Sequence, residues 1–223
     1  DLTKKQVRVL AKENDLITAD KKDSQGLCFI GKVKLPDFLR QRLVPKKGDV
    51  IKINADFKGL NRVISLTKSK QEELNLLSSP HLFLPDDGEI IGEHSGAYYF
   101  TIGQRKGLNI GGFKDPLFVI ETDVINNIVY VGMGEKHPAL FKKSLFVKSI
   151  DIHWVREDLK IKKNQSLEVN FRIRYRQPLQ SGTIYMFDEG LYLLFKQPVS
   201  SVTSGQFLSW YIDEELIGSG VIN

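Results

Sequence analysis

Between residues 167 and 222 one short β-strand signal follows another, over 167–175, 182–187, 191–195, 206–212 and 216–222. Each run is rich in aromatic and β-branched residues. Asp188-Glu189-Gly190 and Asp213-Glu214-Glu215 supply turns between neighbours. Strands this short and closely spaced would leave long unpaired edges if laid out flat, and curling into a small barrel removes them. An antiparallel β-barrel is therefore predicted over 146–223. Upstream, residues 97–102, 117–122 and 128–132 also read as strands, with Asn126-Asn127 turning between the last two. They predict a small β-rich central domain over 46–145.

Helical signals are few. Thr3 and Gln6 have capping-box spacing, and Val7, Leu10 and Ala11 fall at i, i+3 and i+4, so residues 4–13 read as a short amphipathic helix. Pro36 suits a first helical position, and Leu35, Phe38, Leu39 and Leu43 make one stripe over 36–43. Ser69 and Glu72 form a further possible cap before Leu74 and Leu77, with Ser78-Ser79-Pro80 as the stop. The predicted class is mainly β with a few helices.

No run approaches the roughly 18 apolar residues of a membrane span, and no signal-peptide pattern opens the chain, so a cytoplasmic protein with no membrane partner is expected. The chain starts at Asp1-Leu2-Thr3 without methionine, directly on a helix signal, and reads as a fragment. A net charge of +5 favours an anionic partner only mildly.

The single cysteine, Cys28, cannot form an internal disulfide, and a reducing compartment fits best. Free cysteine is among the most buried residue types, which favours a structural role. Its setting favours the other reading. Gly26 and Gly31 frame it, and Lys21, Lys22 and Lys32 would stabilise a thiolate, the reactive form. His81, His94, His137 and His153 are scattered, so neither a Cys–His catalytic pair nor a zinc site is indicated, and no metal is expected.

Gly103-Gln104-Arg105-Lys106-Gly107 lacks the spacing of a phosphate loop, and Gly132-Met133-Gly134 is too short for a dinucleotide fingerprint. The first stretch is either a glycine turn or a basic loop that touches a phosphate backbone. In Phe171-Arg172-Ile173-Arg174-Tyr175-Arg176-Gln177, a continuous strand would set the three arginines on one face, about 6.6 Å apart. That face is either solvated and paired with acidic neighbours or directed at an anion, for which RNA backbone is the main candidate.

Three sets of residues together resemble the tRNA-specific 2-thiouridylase family. The first is Lys21-Lys22-Asp23-Ser24-Gln25-Gly26-Leu27-Cys28-Phe29-Ile30-Gly31. The second is Gly92-Glu93-His94 with the run from Gly96 through Gly103-Gln104-Arg105-Lys106-Gly107-Leu108. The third is Arg174-Tyr175-Arg176-Gln177 with Ser204-Gly205-Gln206. The resemblance implies a three-part enzyme, of which this chain would hold residues 1–45 as the tail of an ATP-pyrophosphatase domain, 46–145 as the central domain and 146–223 as the barrel. It implies a sulfurtransferase that thiolates position 2 of the wobble uridine, with ATP and its Mg bound in a domain this chain lacks, since no Ser-Gly-Gly-x-Asp-Ser loop occurs. A fragment of this kind is expected to be inactive alone and to bind no cofactor.

By the same resemblance, Cys28 carries the persulfide, and a second, upstream cysteine assists sulfur release and ends in a disulfide with it. Arg174, Tyr175 and Gln206 contact tRNA. The implied partners are tRNA and a persulfide sulfur-donor protein, and a monomer is expected. About 36 residues separate Val50 from Asp87, where many family members pass almost directly, so residues 52–86 read as an insertion in the central domain. The competing readings are a non-catalytic RNA-binding barrel module and a module that docks a sulfur donor.

Overall fold

The computed structural model describes residues 2–16, 19–20, 43–61, 69–175 and 177–223. The chain forms two compact units, Asp1–Val44 and Pro45–Asn223. In the first, α1 (Lys4–Glu13) starts as its sequence predicts. Thr3 N–H donates to Gln6 Oε1 at 2.8 Å, and Gln6 N–H donates to Thr3 Oγ1 at 3.5 Å. Asn14 closes the helix by donating from Nδ2 to Leu10 O at 2.8 Å. No residue of α1 is buried. The helix expected at 36–43, save Leu43, and the Cys28 segment lie outside the described residues.

The second unit holds two sheets. The smaller contains β1 (Gly48–Ile53), β2 (Glu89–His94), β3 (Leu117–Asp123) and β4 (Ile128–Met133), ordered β2-β1-β4-β3. β1 runs parallel to β4, and the other pairs are antiparallel. Alternation sends Ile51, Ile53, Ile128 and Tyr130 to one face and Val50, Val129 and Val131 to the other, and both faces are covered. Asn127, at φ +58° in the β3–β4 turn, is nearly sealed from solvent. Its Oδ1 accepts from Ala97 N–H at 3.0 Å, while Nδ2 donates to Lys46 O and Lys47 O at 3.1 and 2.8 Å.

The strand expected at 97–102 is not formed. A 3-10 turn, Ala97–Tyr99, stands there instead, followed by irregular backbone. Gly96 at φ +147° breaks the extended run, and Ala97 N–H bonds the Asn127 side chain rather than a neighbouring strand. The apolar residues of this stretch cover the β1/β4 face instead of joining a ladder.

The opposite face is roofed by residues between β1 and β2. Phe57, Leu60 and Phe83 join the core around Ile51, Ile53 and Tyr130, whose hydroxyl donates to Phe83 O at 3.1 Å. In the same connection α2 (Lys70–Ser78) begins as expected, with Glu72 N–H donating to Ser69 Oγ at 3.1 Å. Leu74 and Leu77 are buried, and α2 lies against strands of the second sheet.

That sheet contains β5 (Phe141–Lys148), β6 (Ile152–Trp154), β7 (Ser166–Arg172), β8 (Gln180–Met186), β9 (Gly190–Ser200), β10 (Phe207–Ile212) and β11 (Glu215–Val221). Their order is β5-β9-β8-β7-β10-β11-β6, with every pair antiparallel. The marginal strands β5 and β6 are consecutive in the chain, joined by Ser149–Asp151. Seven strands laid flat at about 4.8 Å spacing would hold the margins about 29 Å apart. The chain from Lys148 to Ile152 reaches at most about 15 Å, so the sheet must curl. Asn223 fastens the curl, donating from its N–H to Phe146 O at 2.9 Å and accepting at Oδ1 from Lys148 N–H at 2.8 Å. Leu145, Val147, Phe171, Ile184, Leu193, Leu208 and Trp210 fill the interior. The expected barrel is thus a curled antiparallel sheet. Its first strand begins at Phe141 and crosses position 145/146.

β9 continues to Ser200, beyond the expected end at 195. Only β5 pairs with this extension, across an irregularity opposite Lys142 and Ser144, where Pro198 loses no ladder bond. Among the described residues, no helix is long and apolar enough to cross a membrane.

Candidate nucleic-acid interface

The expected arginine face is altered by where β7 stops. The strand ends at Arg172, and 173–175 form a bend. Buried Ile173 anchors the bend, with its N–H donating to Gln177 Oε1 at 3.1 Å, and Gln177 N–H donates to Arg174 O at 3.0 Å. Pro178, with no N–H, follows directly. Arg172 and Arg174 therefore do not lie in register along one strand, and Arg176 is outside the described residues.

Each described arginine has its own support. The Arg172 guanidinium lies 5.1 Å from the Tyr211 ring centroid and donates to Tyr175 O at 3.3 Å. Arg174 donates from an Nη to Ser201 O at 2.8 Å. Among the described residues, neither forms an ion pair, so the acidic partners required by a solvated, charge-paired face are missing. Tyr175, at 89% exposure, holds its ring in solvent beside them. An exposed aromatic ring next to supported guanidinium groups can stack on a base while the cations meet phosphate.

Gln206 ends the loop that Ser201 begins. Its N–H donates to Thr203 O at 3.3 Å, and its carbonyl accepts from Ile222 N–H at 2.8 Å. Its Oε1 is buried and, among the described residues, has no hydrogen-bond partner. The 201–206 loop therefore connects the expected RNA-contact residues, with Arg174 fixed to one end and Gln206 standing at the other. Sequence reasoning did not find Ser201, Gln177 or Tyr211 as supports. Pro178 was the available signal for the bend, whereas Ser201 adopts φ +55° with nothing in its residue type to announce it.

Three family models match: the tRNA methyl transferase HUP domain over 1–32, the tRNA methyl transferase PRC-barrel domain over 78–133 and the aminomethyltransferase beta-barrel domain over 143–222. The tRNA-specific 2-thiouridylase of Flavobacterium johnsoniae is 53% identical over 222 residues, covering all of this chain and 56% of that protein. Over its whole length the chain is similar to tRNA-specific 2-thiouridylases. Their namesake from Christiangramia forsetii is 49% identical and that from Karelsulcia muelleri 48%, again over the whole chain and over 56% and 55% of the relatives. The chain thus spans about half the length of these curated 2-thiouridylases. The HUP match includes Cys28, and the barrel match includes Arg174, Tyr175 and Gln206.

Proposed function

We propose that this chain is part of a tRNA-uridine 2-sulfurtransferase, supplying the sulfur-carrying Cys28 and the tRNA-docking residues Arg174, Tyr175 and Gln206. The observation that carries the reading is the match of the whole chain to proteins named tRNA-specific 2-thiouridylases, at up to 53% identity. With it goes the division into 1–45, a central domain at 46–145 and a barrel at 146–223. The model names speak of methyl transfer and the relatives' names of thiolation. The relatives are followed because each match covers the whole chain, while each model covers one segment.

In this reading the Cys28 thiolate attacks the outer sulfur of a donor protein's persulfide. A new S–S bond forms on Cys28, the donor's own S–S bond breaks, and the donor leaves as a thiolate. The terminal sulfur of Cys28 is then a soft nucleophile for carbon 2 of the uridine; the thiolate of a second, upstream cysteine attacks Cys28 Sγ and breaks the bond between Cys28 and that sulfur, so the sulfur stays on the base and the two cysteines end as a disulfide. Removal of the carbonyl oxygen needs activation, which the reading assigns to ATP with Mg. The described residues do not fit a nucleotide: the glycine-rich stretch 103–112 leads into β3 and not into a helix N-terminus, and no phosphate-loop spacing occurs. The chain by itself is expected not to thiolate tRNA.

The test is tRNA thiolation by the full-length protein beside tRNA binding. Cys28→Ser is expected to abolish 2-thiouridine formation with affinity for tRNA unchanged. Full thiolation by that variant would instead leave only a non-catalytic RNA-binding module.

A further inference from the structure

Residues 101–107 form a braced loop. Gly103 N–H donates to Val119 O at 2.7 Å, and Val119 N–H donates to Gln104 O at 2.9 Å, so the loop is laddered onto β3. The Gln104 side chain spans it, accepting at Oε1 from Thr101 N–H at 3.1 Å and donating from Nε2 to Lys106 O at 2.8 Å. Arg105 and Lys106 stand exposed on its outer turn. Among the described residues, no ion pair involves either of them.

The loop also meets the barrel. A Cβ built on Gly103, at φ +84°, would lie 2.2 Å from Ser201 Oγ and 2.6 Å from its Cβ. Only glycine permits both that backbone angle and that approach. Ser201 is itself pinned, its N–H donating to Leu140 O at 2.8 Å and its carbonyl accepting from Thr203 Oγ1 at 3.2 Å and from Arg174 at 2.8 Å. One residue therefore touches the backbone under Arg105 and Lys106 and also holds the guanidinium of Arg174. Braced cations without carboxylate partners, on loops that meet at one point beside an exposed tyrosine, suit an extended polyanion with bases to stack.

We propose that Arg105 and Lys106 form a second phosphate-backbone contact for the same tRNA, held in register with Arg174 and Tyr175 by the Gly103–Ser201 contact. This rests on the tRNA-docking role of Arg174 given above. It adds the central-domain loop to the RNA surface and makes Gly103 and Ser201 positioning residues. Because phosphates carry the contact, it contributes affinity and register without base selectivity.

The test is tRNA affinity of the full-length protein across a salt series, comparing the parent with Arg174→Ala, Arg105→Ala/Lys106→Ala and Gly103→Ala. The double variant, altered only at exposed positions, is expected to bind roughly tenfold more weakly. Its slope of log affinity against log salt should be shallower by about 1 to 2, at roughly 0.7 to 0.9 per lost phosphate contact. Gly103→Ala keeps every charge and should weaken binding while retaining most of the slope. If Arg174→Ala weakens binding while the double variant matches the parent in affinity and slope, this inference fails and the docking role of Arg174 stands. If Arg174→Ala and the double variant both match the parent, the docking role fails as well. If the double variant loses affinity for poly-glutamate and not for tRNA, the loop serves an acidic protein and the inference is overturned.

Discussion

Leu74 tests whether the connection between β1 and β2 braces the barrel. It is completely buried on α2, the helix that lies against β5 and β9. Around it, Lys142 Nζ donates to Ser78 O at 3.1 Å, Gln71 Nε2 donates to Glu189, and Lys70 Nζ lies 5.4 Å from the Tyr185 ring centroid. Ser144, on the face of β5 opposite core residues Leu145 and Val147, is nonetheless fully buried. Leu74→Ala removes the equivalent of three methyl or methylene groups, about 2.4 kcal/mol of transfer free energy at roughly 0.8 each. An incompletely collapsed cavity adds up to about 2 kcal/mol, and alanine returns only a few tenths through helix propensity. The expected loss is about 2.5–4 kcal/mol. Urea unfolding should be followed by tryptophan fluorescence, because both tryptophans, Trp154 and Trp210, lie in the barrel core. The tryptophan transition should shift to lower urea together with the far-UV signal. Leu82→Ala, at a site 90% exposed, should stay within about 0.5 kcal/mol of the parent. A Leu74→Ala barrel transition that does not move, or a loss below about 1 kcal/mol, would refute the brace.

His137 Nε2 donates to Ile53 O at 3.2 Å and Nδ1 accepts from Ala139 N–H at 3.3 Å, which fixes the neutral ring, and burial holds its pKa below 6.5. Below pH 6.5 the unfolded chain takes up the proton first, so stability is complete above that pH and declines as pH falls toward the folded-state value. Buried His94, whose Nδ1 accepts from Gly96 N–H at 2.9 Å, acts in the same direction. Urea midpoints flat above pH 7 and falling between pH 6.5 and 5 would bear this out, and His137→Gln should flatten the decline. Asn127→Ala leaves buried Ala97 N–H without its acceptor and puts alanine at φ +58°, so a loss of about 2–4 kcal/mol is expected in the same assay.

Of the seven strands of the second sheet, β7 to β11 were legible as bounded apolar runs, and β8 to β11 also have a turn of acidic residues or glycine beside them, whereas β5 was not anticipated. The caps of α1 and α2 were legible because Thr3 with Gln6 and Ser69 with Glu72 are local signals. The aromatic run after Gly96 misled, since residues that cover a sheet have the composition of residues within one. β6 is three residues long, and β1 is defined by pairing with β4 some 80 residues away, so neither carries a strong local period. At the candidate site, Arg174, Tyr175 and Gln206 came from family resemblance. The contact that unites their loops is tertiary: Gly103 could be noticed as a glycine, but its neighbour Ser201 is distant in the chain and ordinary in type.

The most direct measurement of the sulfur-transfer proposal is peptide mass spectrometry of the full-length protein after exposure to a persulfide donor, without reductant. One added sulfur atom on the peptide carrying Cys28, lost on reduction and absent from Cys28→Ser, is the expected result. A protein that thiolates tRNA while that peptide never gains sulfur would contradict it.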